Sequence, residues 1–417
     1  MAEFFNVLPP DEARALLTTH IQPIEEVESI HAVDAVGRFT VDDIYAPQPL
    51  PAFRRSSMDG YAVRAQDTHG AADTLPAFLQ VIGEVRMGQA AEMILKIGEA
   101  ALVHTGGMLP DSADAVVQIE HTQTVMSTTS ERFPFEIEVF RAVAPGQNVI
   151  QIGEDVELGS LVIPAGSSLR PQEIGGLMAL GITTLGVVRR PKVSILATGD
   201  EVVLPTTLPD PGKIRDINSY TVAGQVIKAG GIPNIIGIIP DNLEALYEAA
   251  VAGLAMGDML VMSAGSSVSV RDITVEVINL LGDPGVLLHG VATRPGKPTI
   301  VGASGGKPVL GLPGNPVSAM VQFDMFGVPA LYDLQGAKAH PQRSNVWARL
   351  TLNLPSESGR EDYVPARLRQ TETGLLVTPV FGKSNLIFTL IQADGLIKVP
   401  LNKGGLVAGE FVEVYLF

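Results

Sequence analysis

The pattern of hydrophobic and polar positions changes twice along the chain. Between residues 78 and 139, short apolar runs are separated by Gly, Pro, Ser and Thr, which is typical of β-strands joined by turns. From residue 191 to about residue 330, apolar runs of strand length alternate with longer segments of helical periodicity. After residue 331 the short runs return. The pattern therefore predicts two β-rich regions on either side of a mixed region.

The mixed region has the pattern of a parallel sheet. Strands that alternate with helices of this size indicate βαβ units, with helices on both faces of the sheet. We therefore predict a doubly wound α/β domain of about 140 residues, followed by a small C-terminal β domain or barrel. The predicted strands are 192–197, 235–239, 259–262 and 308–312. The predicted helices are 219–229, 242–254, 272–281 and 316–325.

Carboxylates follow the predicted parallel strands. Asp200 and Glu201 come after the first strand, Asp241 after the second, and Asp272 near the start of the helix after the third. Ligands of doubly wound sheets bind outside the carboxyl ends of the strands, so we expect these side chains at one edge. Mg²⁺ usually takes one or two carboxylates plus phosphate oxygens of the substrate. A single Asp at such a junction is equally well explained as a helix N-cap.

Two further loops of the mixed region have features of anion sites. The segment 263–272 is rich in Ser and Gly, so that unpaired N–H groups and hydroxyls at a helix N-terminus are available to phosphates. Asn315 as N-cap and Pro316 at the first helical position form a well-defined helix start, which either binds an anion or simply begins a helix. The segment 302–308 resembles a P-loop, but its Gly spacing is wrong and Pro308 replaces the required Ser or Thr. We predict a tight turn there.

The net charge and its distribution along the chain bear on which binding partners are excluded. With 29 Lys and Arg against 45 Asp and Glu, the net charge of −16 argues against non-specific binding to nucleic acid or to an anionic membrane. Residues 284–323 nevertheless contain no acid, and they include Arg294, Lys297 and Lys307. A cationic patch beside carboxylates suits a phosphorylated substrate with bound Mg²⁺. The alternative is a chance gap in a buried apolar stretch.

The absence of cysteine limits the available chemistry. A chain without Cys has no disulfide, thiolate metal site or Cys nucleophile, and its seven His show no metal-ligand spacing. The longest apolar stretches are shorter than the roughly 20 residues of a membrane span. The N-terminus lacks the basic flank of a signal peptide, so we expect a cytoplasmic protein.

The first β-rich region contains two unusual loops. Arg54, Arg55, Ser56 and Asp59 lie within a few residues of one another, and Gly60 permits a sharp turn that presents Asp59. A Gly-rich loop after a predicted strand covers residues 104–110. Both segments can equally be ordinary turns.

Taken together and in order, the loops resemble those of the molybdopterin molybdotransferases, a family that includes the E domain of gephyrin. The resemblance covers nearly the whole chain, and the series of motifs carries it rather than any single one. The motifs are 56–62 (SSMDGYA), 105–110 (TGGMLP), 114–117 (DAVV) with Glu120, 153–155 (GED), 191–193 (PKV), 198–201 (TGDE), 240–241 (PD), 294–298 (RPGKP) and 311–319 (GLPGNPVSA).

The resemblance implies an elongated four-part subunit that forms a homodimer, with a central α/β domain similar to the molybdopterin adenylyltransferases. A helical and extended linking domain would cover 1–49 and 149–189, and a β-rich domain with the SSMDGYA and TGG loops would cover 50–148. The α/β molybdopterin-binding domain would cover 190–330, and a C-terminal β domain would cover 331–417.

The resemblance also implies an activity in molybdenum cofactor biosynthesis. Adenylylated molybdopterin and molybdate would bind in a cleft completed by the partner subunit, and Mg²⁺-assisted loss of AMP would accompany insertion of molybdenum into the dithiolene. The catalytic residues it implies are Asp59, Thr105, Glu201, Asp241 and Asp272, of which Asp241 and Asp272 would hold the metal. The substrate-binding residues it implies are Ser56, Asp155, Ser263, Ser267, Arg294, Lys297, Pro313, Asn315 and Ser318.

Several positions depart from the family pattern. Ala264 and Ser269 stand where the family has glycines, Ser266 replaces an apolar residue, Arg294 replaces a common Lys, and Ile150 replaces a frequent Arg. These departures motivate an alternative function, a catalytically weak paralogue that binds molybdopterin or the cofactor as a carrier or scaffold. An unrelated Mg²⁺-dependent enzyme acting on nucleotides is the third possibility.

Overall fold

The computed structural model describes residues 7–125, 133–264, 268–372 and 374–417. The chain divides into two compact units, which are described separately. Unit 1 comprises Met1–Asp42, Ala165–Ile174 and Thr184–Phe417, and unit 2 comprises Asp43–Pro164 and Gly175–Thr183.

The elements are numbered in chain order. The α-helices are α1 (Pro10–Thr18), α2 (Pro171–Ala179), α3 (Asn218–Lys228), α4 (Leu243–Met256), α5 (Val268–Leu280), α6 (Pro316–Gln322), α7 (Val328–Leu334) and α8 (Phe388–Ile391), and a π-helical turn covers Phe323–Gly327. The strands of the first half are β1 (Val27–His31), β2 (Ile44–Tyr45), β3 (Arg55–Ser56), β4 (Gly60–Val63), β5 (Ala77–Val85), β6 (Glu99–Val103), β7 (Ala115–Gln118), β8 (Thr122–Thr124), β9 (Phe135–Val139), β10 (Val149–Ile150), β11 (Leu161–Ile163) and β12 (Thr184–Val188). The remaining strands are β13 (Lys192–Thr198), β14 (Val202–Val203), β15 (Ile214–Arg215), β16 (Ile232–Ile239), β17 (Met259–Ala264), β18 (Pro284–His289), β19 (Thr293–Arg294), β20 (Ile300–Ser304), β21 (Lys307–Pro313), β22 (Asn345–Leu350), β23 (Leu354–Pro355), β24 (Glu361–Thr371), β25 (Gly374–Pro379), β26 (Gly395–Val399), β27 (Gly405–Leu406) and β28 (Phe411–Leu416). Among the described helices, none is both long and apolar enough to cross a bilayer.

The central sheet of unit 1 has six strands in the order β16-β13-β17-β21-β20-β18, and the first four run parallel. Helices α3 and α6 cover one face, with Val222, Val226 and Val317 in its apolar core. Helices α4 and α5 cover the other face, where Leu246 and Val277 are buried. Burial on both faces explains the nearly continuous apolar runs of the inner strands β13, β17 and β21. The prediction of a doubly wound α/β domain is confirmed.

The four predicted strands and helices of this domain are confirmed, with ends that shift by a few residues. Strands β18 and β20, which add an antiparallel edge, were not predicted. The predicted turn at 302–308 is confirmed, because Gly305 and Gly306, with φ of +55° and +80°, connect β20 to β21. The predicted helix 316–325 ends earlier, and the π-helical turn joins α6 to α7.

Lys307 does not belong to the predicted cationic patch. It begins β21, and its Nζ donates hydrogen bonds to the carbonyl oxygens of Leu254 and Gly257, each at 2.8 Å. The ammonium group therefore satisfies carbonyls at the C-terminal end of α4, at the edge where β21 starts. Part of the acid-free segment is also the fully buried strand β20, as the alternative explanation for that segment expected.

The C-terminal strands of unit 1 close into a small barrel. Strand β24 pairs with both β25 and β26, and the circle is completed through β22 and β28. Its interior includes Leu350, Ala366, Val377, Ile397 and Val414, all essentially inaccessible to solvent. The predicted C-terminal barrel is confirmed.

Unit 2 is built on a six-stranded sheet in the order β7-β4-β6-β5-β9-β8. Alternate residues of β4 enter two different apolar clusters, because Tyr61 and Val63 pack in one and Ala62 packs in the other. Both faces of this strand are thus covered, which is consistent with its short, uniformly apolar run. The prediction of a β-rich region is confirmed.

The barrel provides a stability prediction. A Cβ atom on Gly395 of β26 would lie 2.2 Å from the carbonyl oxygen of Tyr415 on β28, so Gly395→Ala must separate the two strands. We expect it to lower the free energy of unfolding of the barrel by about 1–3 kcal/mol. Trp347 is the single tryptophan and lies in β22, so its fluorescence during urea unfolding reports on the barrel.

Gly404→Ala is the matched control, because nothing lies within 4 Å of a Cβ built there. Equal midpoints of unfolding for the two variants would show that the strands tolerate the added methyl group.

Candidate functional site

The candidate site residues divide between the two units. Those of unit 2 are Ser56, Asp59, Thr105 and Asp155. Those of unit 1 are Glu201, Asp241, Asp272, Ser263, Arg294, Lys297, Pro313, Asn315 and Ser318. Ser267, like Ser266, lies outside the described residues.

The parallel register brings the ends of the central strands of unit 1 to the same level. Ser263 of β17 lies opposite Ala197 of β13 and Leu312 of β21. Thr198, at the end of β13, lies opposite Ile239 of β16. The loops that follow these strands therefore start from one edge of the sheet, as the sequence predicted.

The first two loops hold each other through Asp241. The Thr198 hydroxyl donates to Oδ1 of Asp241 at 2.5 Å, and the backbone N–H of Asp200 donates to Oδ2 at 3.3 Å. In return, the backbone N–H of Asp241 donates to Oδ1 of Asp200 at 3.4 Å. The half-buried Asp241 carboxylate is therefore oriented by a strand-end hydroxyl and placed beside a second carboxylate.

Asp272 and Glu201 are less constrained. Asp272 is exposed on α5, and its carboxylate makes no hydrogen bond or ion pair with any residue that the structure describes. Glu201 is half-buried directly after Asp200, and its carbonyl oxygen accepts from the N–H of Ile214. Within the described ranges, no three His, Asp or Glu side chains form a metal-binding group. The carboxylate that the structure places next to Asp241 is thus Asp200, and no bond joins Asp241 to the predicted partner Asp272.

The third and fourth loops are tied together by Asn218, which the sequence analysis missed. Its side-chain Nδ2 donates to Oγ of Ser263 at 2.7 Å and to the carbonyl oxygen of Gly314 at 2.9 Å. Asn218 is only 7% exposed at the first position of α3. A buried amide that donates twice fixes both acceptors, since losing it would leave them unsatisfied. The sequence signal was an Asn at a helix start, a residue type that is usually read as a cap.

The start of α6 contacts a loop of the barrel. Asn315 occupies the N-cap position, as predicted, but its side-chain Nδ2 bonds Oγ of Ser384 at 3.0 Å rather than the helix backbone. The carbonyl oxygen of Ser384 accepts from the N–H of Val317 at 3.1 Å. Ser318 is buried in the first turn of α6, and Pro313 ends β21. Ser384, which the sequence did not single out, is thus part of this surface.

Two arginines meet at a buried aspartate. Arg294 of β19 lies 3.6 Å from the Asp362 carboxylate, and Nε of Arg360 donates to the same carboxylate at 3.0 Å. The pairing of β19 with β24 brings these residues together. Arg294 and Lys297 remain exposed. Arg360 was missed because it lies far along the chain, in the predicted barrel.

The departures from the family pattern fall largely in regular backbone. Ala264 is the last residue of β17, and Ser269 lies in the first turn of α5. Strand and helix conformations are open to any L-residue. Neither position needs a left-handed backbone, so neither requires a glycine.

In unit 2, the two unusual loops pack against each other. The backbone N–H of Thr105 donates to Oδ1 of Asp59 at 2.8 Å. Backbone hydrogen bonds also join Ser56 to Gly106 and to Gly107, at 2.7 and 2.9 Å. Asp59 and Thr105 are both exposed, so the structure places these two predicted residues side by side on an accessible surface. Asp155 is exposed as well, and its carboxylate has no partner among the described residues.

The structure specifies the local roles of two residues in this loop. Ser56 has no exposed surface, and its hydroxyl donates to the Met58 carbonyl oxygen at 2.5 Å and accepts from the Met58 N–H at 3.2 Å. The hydroxyl therefore holds the turn, and contact of Ser56 with substrate stays a prediction. Gly60 does not make a sharp turn but begins β4, where a Cβ would lie 2.0 Å from the carbonyl oxygen of Val117.

Sequence comparisons match three regions of the chain. The MoeA N-terminal region (domain I and II) matches residues 8–181, a probable molybdopterin binding domain matches residues 194–333, and the MoeA C-terminal region (domain IV) matches residues 347–417. A putative molybdopterin biosynthesis protein of Methanocaldococcus jannaschii is 36% identical, over 99% of this chain and 98% of that protein. The molybdopterin molybdenumtransferase of Bacillus subtilis is 33% identical, over 100% of this chain and 95% of that protein.

Solved structures show the same similarity. The crystal structure of a molybdopterin biosynthesis MoeA protein from Pyrococcus horikoshii has a TM-score of 0.83 to this chain. The two chains are 32% identical, and the alignment covers 99% of this chain and 100% of that one.

The hydrogen bonds of Asn218 predict what its substitution does to the loops at the carboxyl edge of the sheet. Asn218→Ala leaves the Ser263 hydroxyl and the Gly314 carbonyl without their buried donor, which we expect to destabilise unit 1 by about 1–3 kcal/mol. Hydrogen–deuterium exchange should rise selectively in peptides that cover residues 311–319.

Asn242→Ala is the matched control at the same edge. Asn242 caps α4 by accepting from the N–H of Ala245, so its loss should destabilise by about 1 kcal/mol without faster exchange at 311–319. Faster exchange in both variants would mean that Asn218 acts only through general stability.

Proposed function

Because the chain belongs to the MoeA family, we propose that it is a molybdopterin molybdenumtransferase of molybdenum cofactor biosynthesis. In finer detail, we propose that it inserts molybdate into adenylylated molybdopterin and releases AMP in an Mg²⁺-dependent reaction. The observation that carries the finer proposal is the Asp241 carboxylate, oriented by Thr198 and placed beside Asp200 at the carboxyl edge of the sheet.

The composition of the chain agrees with this chemistry. Insertion of molybdenum forms bonds to sulfur, yet the chain contains no cysteine. In the proposed reaction the sulfur ligands belong to the dithiolene of the substrate. The protein therefore needs to bind and orient, and it does not need a thiol of its own.

The phosphates of the substrate require positive charge. Asp241 with Asp200 fits an Mg²⁺ ion that completes its coordination with phosphate oxygens, since such sites commonly use only one or two carboxylates; Asp272 remains a proposed further ligand. When bound there, Mg²⁺ would act as a Lewis acid toward the phosphoanhydride. Arg294 and Lys297 are exposed cations of unit 1 that can pair with the remaining phosphate charge.

Molybdate is an oxyanion and requires hydrogen-bond donors. The contact between Asn315 and Ser384 places an amide and a hydroxyl at the start of α6, and Pro313 and Ser318 flank it. Ser263 lies near the end of β17, and Ser267, outside the described residues, stays a sequence-based candidate. Hydroxyl, amide and cationic donors of these kinds suit an oxyanion better than a neutral ligand.

Release of AMP requires an oxygen nucleophile, which we propose is water. Its oxygen bonds to the adenylyl phosphorus while the P–O bond to the molybdopterin phosphate breaks, so that AMP keeps the new oxygen and the molybdopterin phosphate is the leaving group. Such reactions are accelerated mainly by positioning and by stabilising charge. We assign orientation of the attacking oxygen to Glu201, and we propose that Asp59, Thr105 and Asp155 of unit 2 bind the same substrate. We propose a homodimer in which each site combines the unit 1 residues of one subunit with the unit 2 residues of the other.

Asp241→Asn tests the carboxylate assignment. Loss of one charge next to the phosphates should lower the rate of AMP release from adenylylated molybdopterin by at least about a hundredfold, measured with purified protein, Mg²⁺ and molybdate. Asp210→Asn, an exposed carboxylate of the same unit, is the control and should keep the wild-type rate.

A wild-type rate for Asp241→Asn would remove this residue from the mechanism. Tight binding of molybdopterin by the unsubstituted chain, without any molybdate-dependent release of AMP, would instead support the carrier or scaffold function.

Mixed dimers test the shared site. A subunit with Asp59→Asn and a subunit with Asp241→Asn carry different tags and are purified together as a mixed dimer. If each site combines Asp59 of one subunit with Asp241 of the other, one of the two sites contains both natural residues, and about half of the wild-type activity returns. If both residues come from one subunit, or if the protein is a monomer, activity stays at the level of the single variants.

A further inference from the structure

A cavity of about 850 Å³ lies in unit 1, on the side of the central sheet that α3 and α6 cover. Its walls come from α3, from the π-helical turn with the start of α7, and from barrel residues such as Tyr363 and Lys398. None of the residues assigned to molybdenum insertion lines it. A volume of this size falls within the range of small-molecule sites, about 300–1,000 Å³.

The π-helical turn forms part of the wall. It places Asp324 and Met325 at the cavity, within a helical run that is otherwise α-helical from Pro316 to Leu334. A π-turn weakens the regular hydrogen bonding of a helix and often occurs at functional sites. Asp324 is a polar group in this otherwise apolar part of the helix, next to the buried Phe323 and Phe326.

The acids of the cavity are already matched by cations. Asp324 pairs with Arg343 at 2.5 Å, and Lys398 pairs with Glu361, which lies behind the wall, at 2.8 Å. Burial raises the pKa of Asp324, while Arg343 and Lys228 oppose that rise. The Arg343 guanidinium is also held by the ring of Tyr415, 4.7 Å from its centroid. These groups form a fixed frame of paired charges.

Lys228 is the unmatched cation of this frame. It lies at the end of α3, lines the cavity, and has no hydrogen bond or ion pair among the described residues. The nearby Asp324 is already bound to Arg343. An anion in the cavity would therefore meet a positive charge that is attracted to Asp324 but forms no direct ion pair among the described residues.

Gln225, one helical turn before Lys228, provides an acceptor. Its Nε2 donates to the carbonyl oxygen of Met320 at 3.0 Å. Its Oε1 is buried and has no hydrogen-bond partner in the described part of the chain. A buried acceptor without a donor is unfavourable, so a ligand with an N–H or O–H group is favoured when it reaches this oxygen.

We propose that this cavity binds a small aromatic anion, a carboxylate or a phosphate monoester that also carries a hydrogen-bond donor. The acidic group pairs with Lys228, and the donor bonds Oε1 of Gln225. The flat apolar body packs against Met320, Met325 and Leu396. This site goes beyond the proposed function, since it shares no residue with the insertion site.

A fluorescent probe with the required groups tests the proposal on the full chain. 1-Anilinonaphthalene-8-sulfonate has a fixed negative charge, an N–H donor and a flat apolar body. Lys228→Gln should weaken its binding about tenfold, in the range of a lost hydrogen bond to a charged group. Lys96→Gln, which removes an exposed lysine of unit 2, should leave the affinity unchanged.

N-Phenyl-1-naphthylamine, which lacks the sulfonate, separates charge from apolar contact. Its affinity should be the same for the unsubstituted chain and for Lys228→Gln. Equal affinity of the sulfonate probe for these two proteins would overturn the proposal, and so would an equal loss with Lys96→Gln.

A second pair of variants locates the binding site. Gly224 of α3 lines the cavity and has open space around a Cβ, so Gly224→Leu adds bulk inside it and also favours the helix. It should weaken binding of the sulfonate probe at least about fivefold without lowering the melting temperature. Gly175→Leu makes the same change at an open position of α2 and should leave binding intact. If binding is unchanged in both variants, the probe binds elsewhere and the proposed site is refuted.

Competition identifies the acidic group. Displacement of the probe by adenosine 5′-monophosphate indicates a phosphate ligand, and displacement by 4-aminobenzoate indicates a carboxylate. Displacement by the neutral naphthylamine with neither anion effective would contradict an anion site. Because Lys228 and Gly224 take no part in molybdenum insertion, AMP release should persist in both variants whatever the binding result.

Discussion

The parallel pairing of β16, β13, β17 and β21 is the constraint on which the candidate site of unit 1 depends. In parallel strands the carboxyl ends meet at one edge, so loops from distant parts of the chain start close together. The inner strands β13, β17 and β21 are buried on both faces, which fixes their register through packing. Side chains then make the final adjustment, with Asp241 joining the first two loops and Asn218 the other two.

Much of the α/β domain could be predicted because its information is local. Apolar periodicity and the carboxylates after each strand were visible in short windows, and Asp241 was found in this way. Asn218 and Ser384 were missed because their roles come from tertiary contacts: one reaches across to Ser263, and the other approaches Asn315 from the barrel. No local pattern distinguishes such residues from ordinary caps and loop hydroxyls.

Burial was the other property that the sequence did not reveal. Ser56 lies in a motif with exposed, polar neighbours, yet it has no exposed surface, and its hydroxyl bonds only Met58 within its own turn. Lys307 looked like part of a cationic cluster, but its ammonium satisfies the end of a helix. For Lys307, the hydrogen-bond partners show a structural role in place of the predicted one. For Ser56, they show a hydroxyl that holds its own turn, and the contact with substrate stays a prediction.

The closed barrel has a consequence for how this chain meets other chains. A strand at an open edge offers unpaired N–H and C=O groups, on which a foreign strand can add by main-chain pairing. Because β24 pairs with both β25 and β26, the N–H and C=O groups of its two edges are already hydrogen-bonded within the barrel. The barrel is therefore protected against edge-to-edge aggregation, and its outer surface can change by substitution of side chains without creating a template for uncontrolled polymerisation.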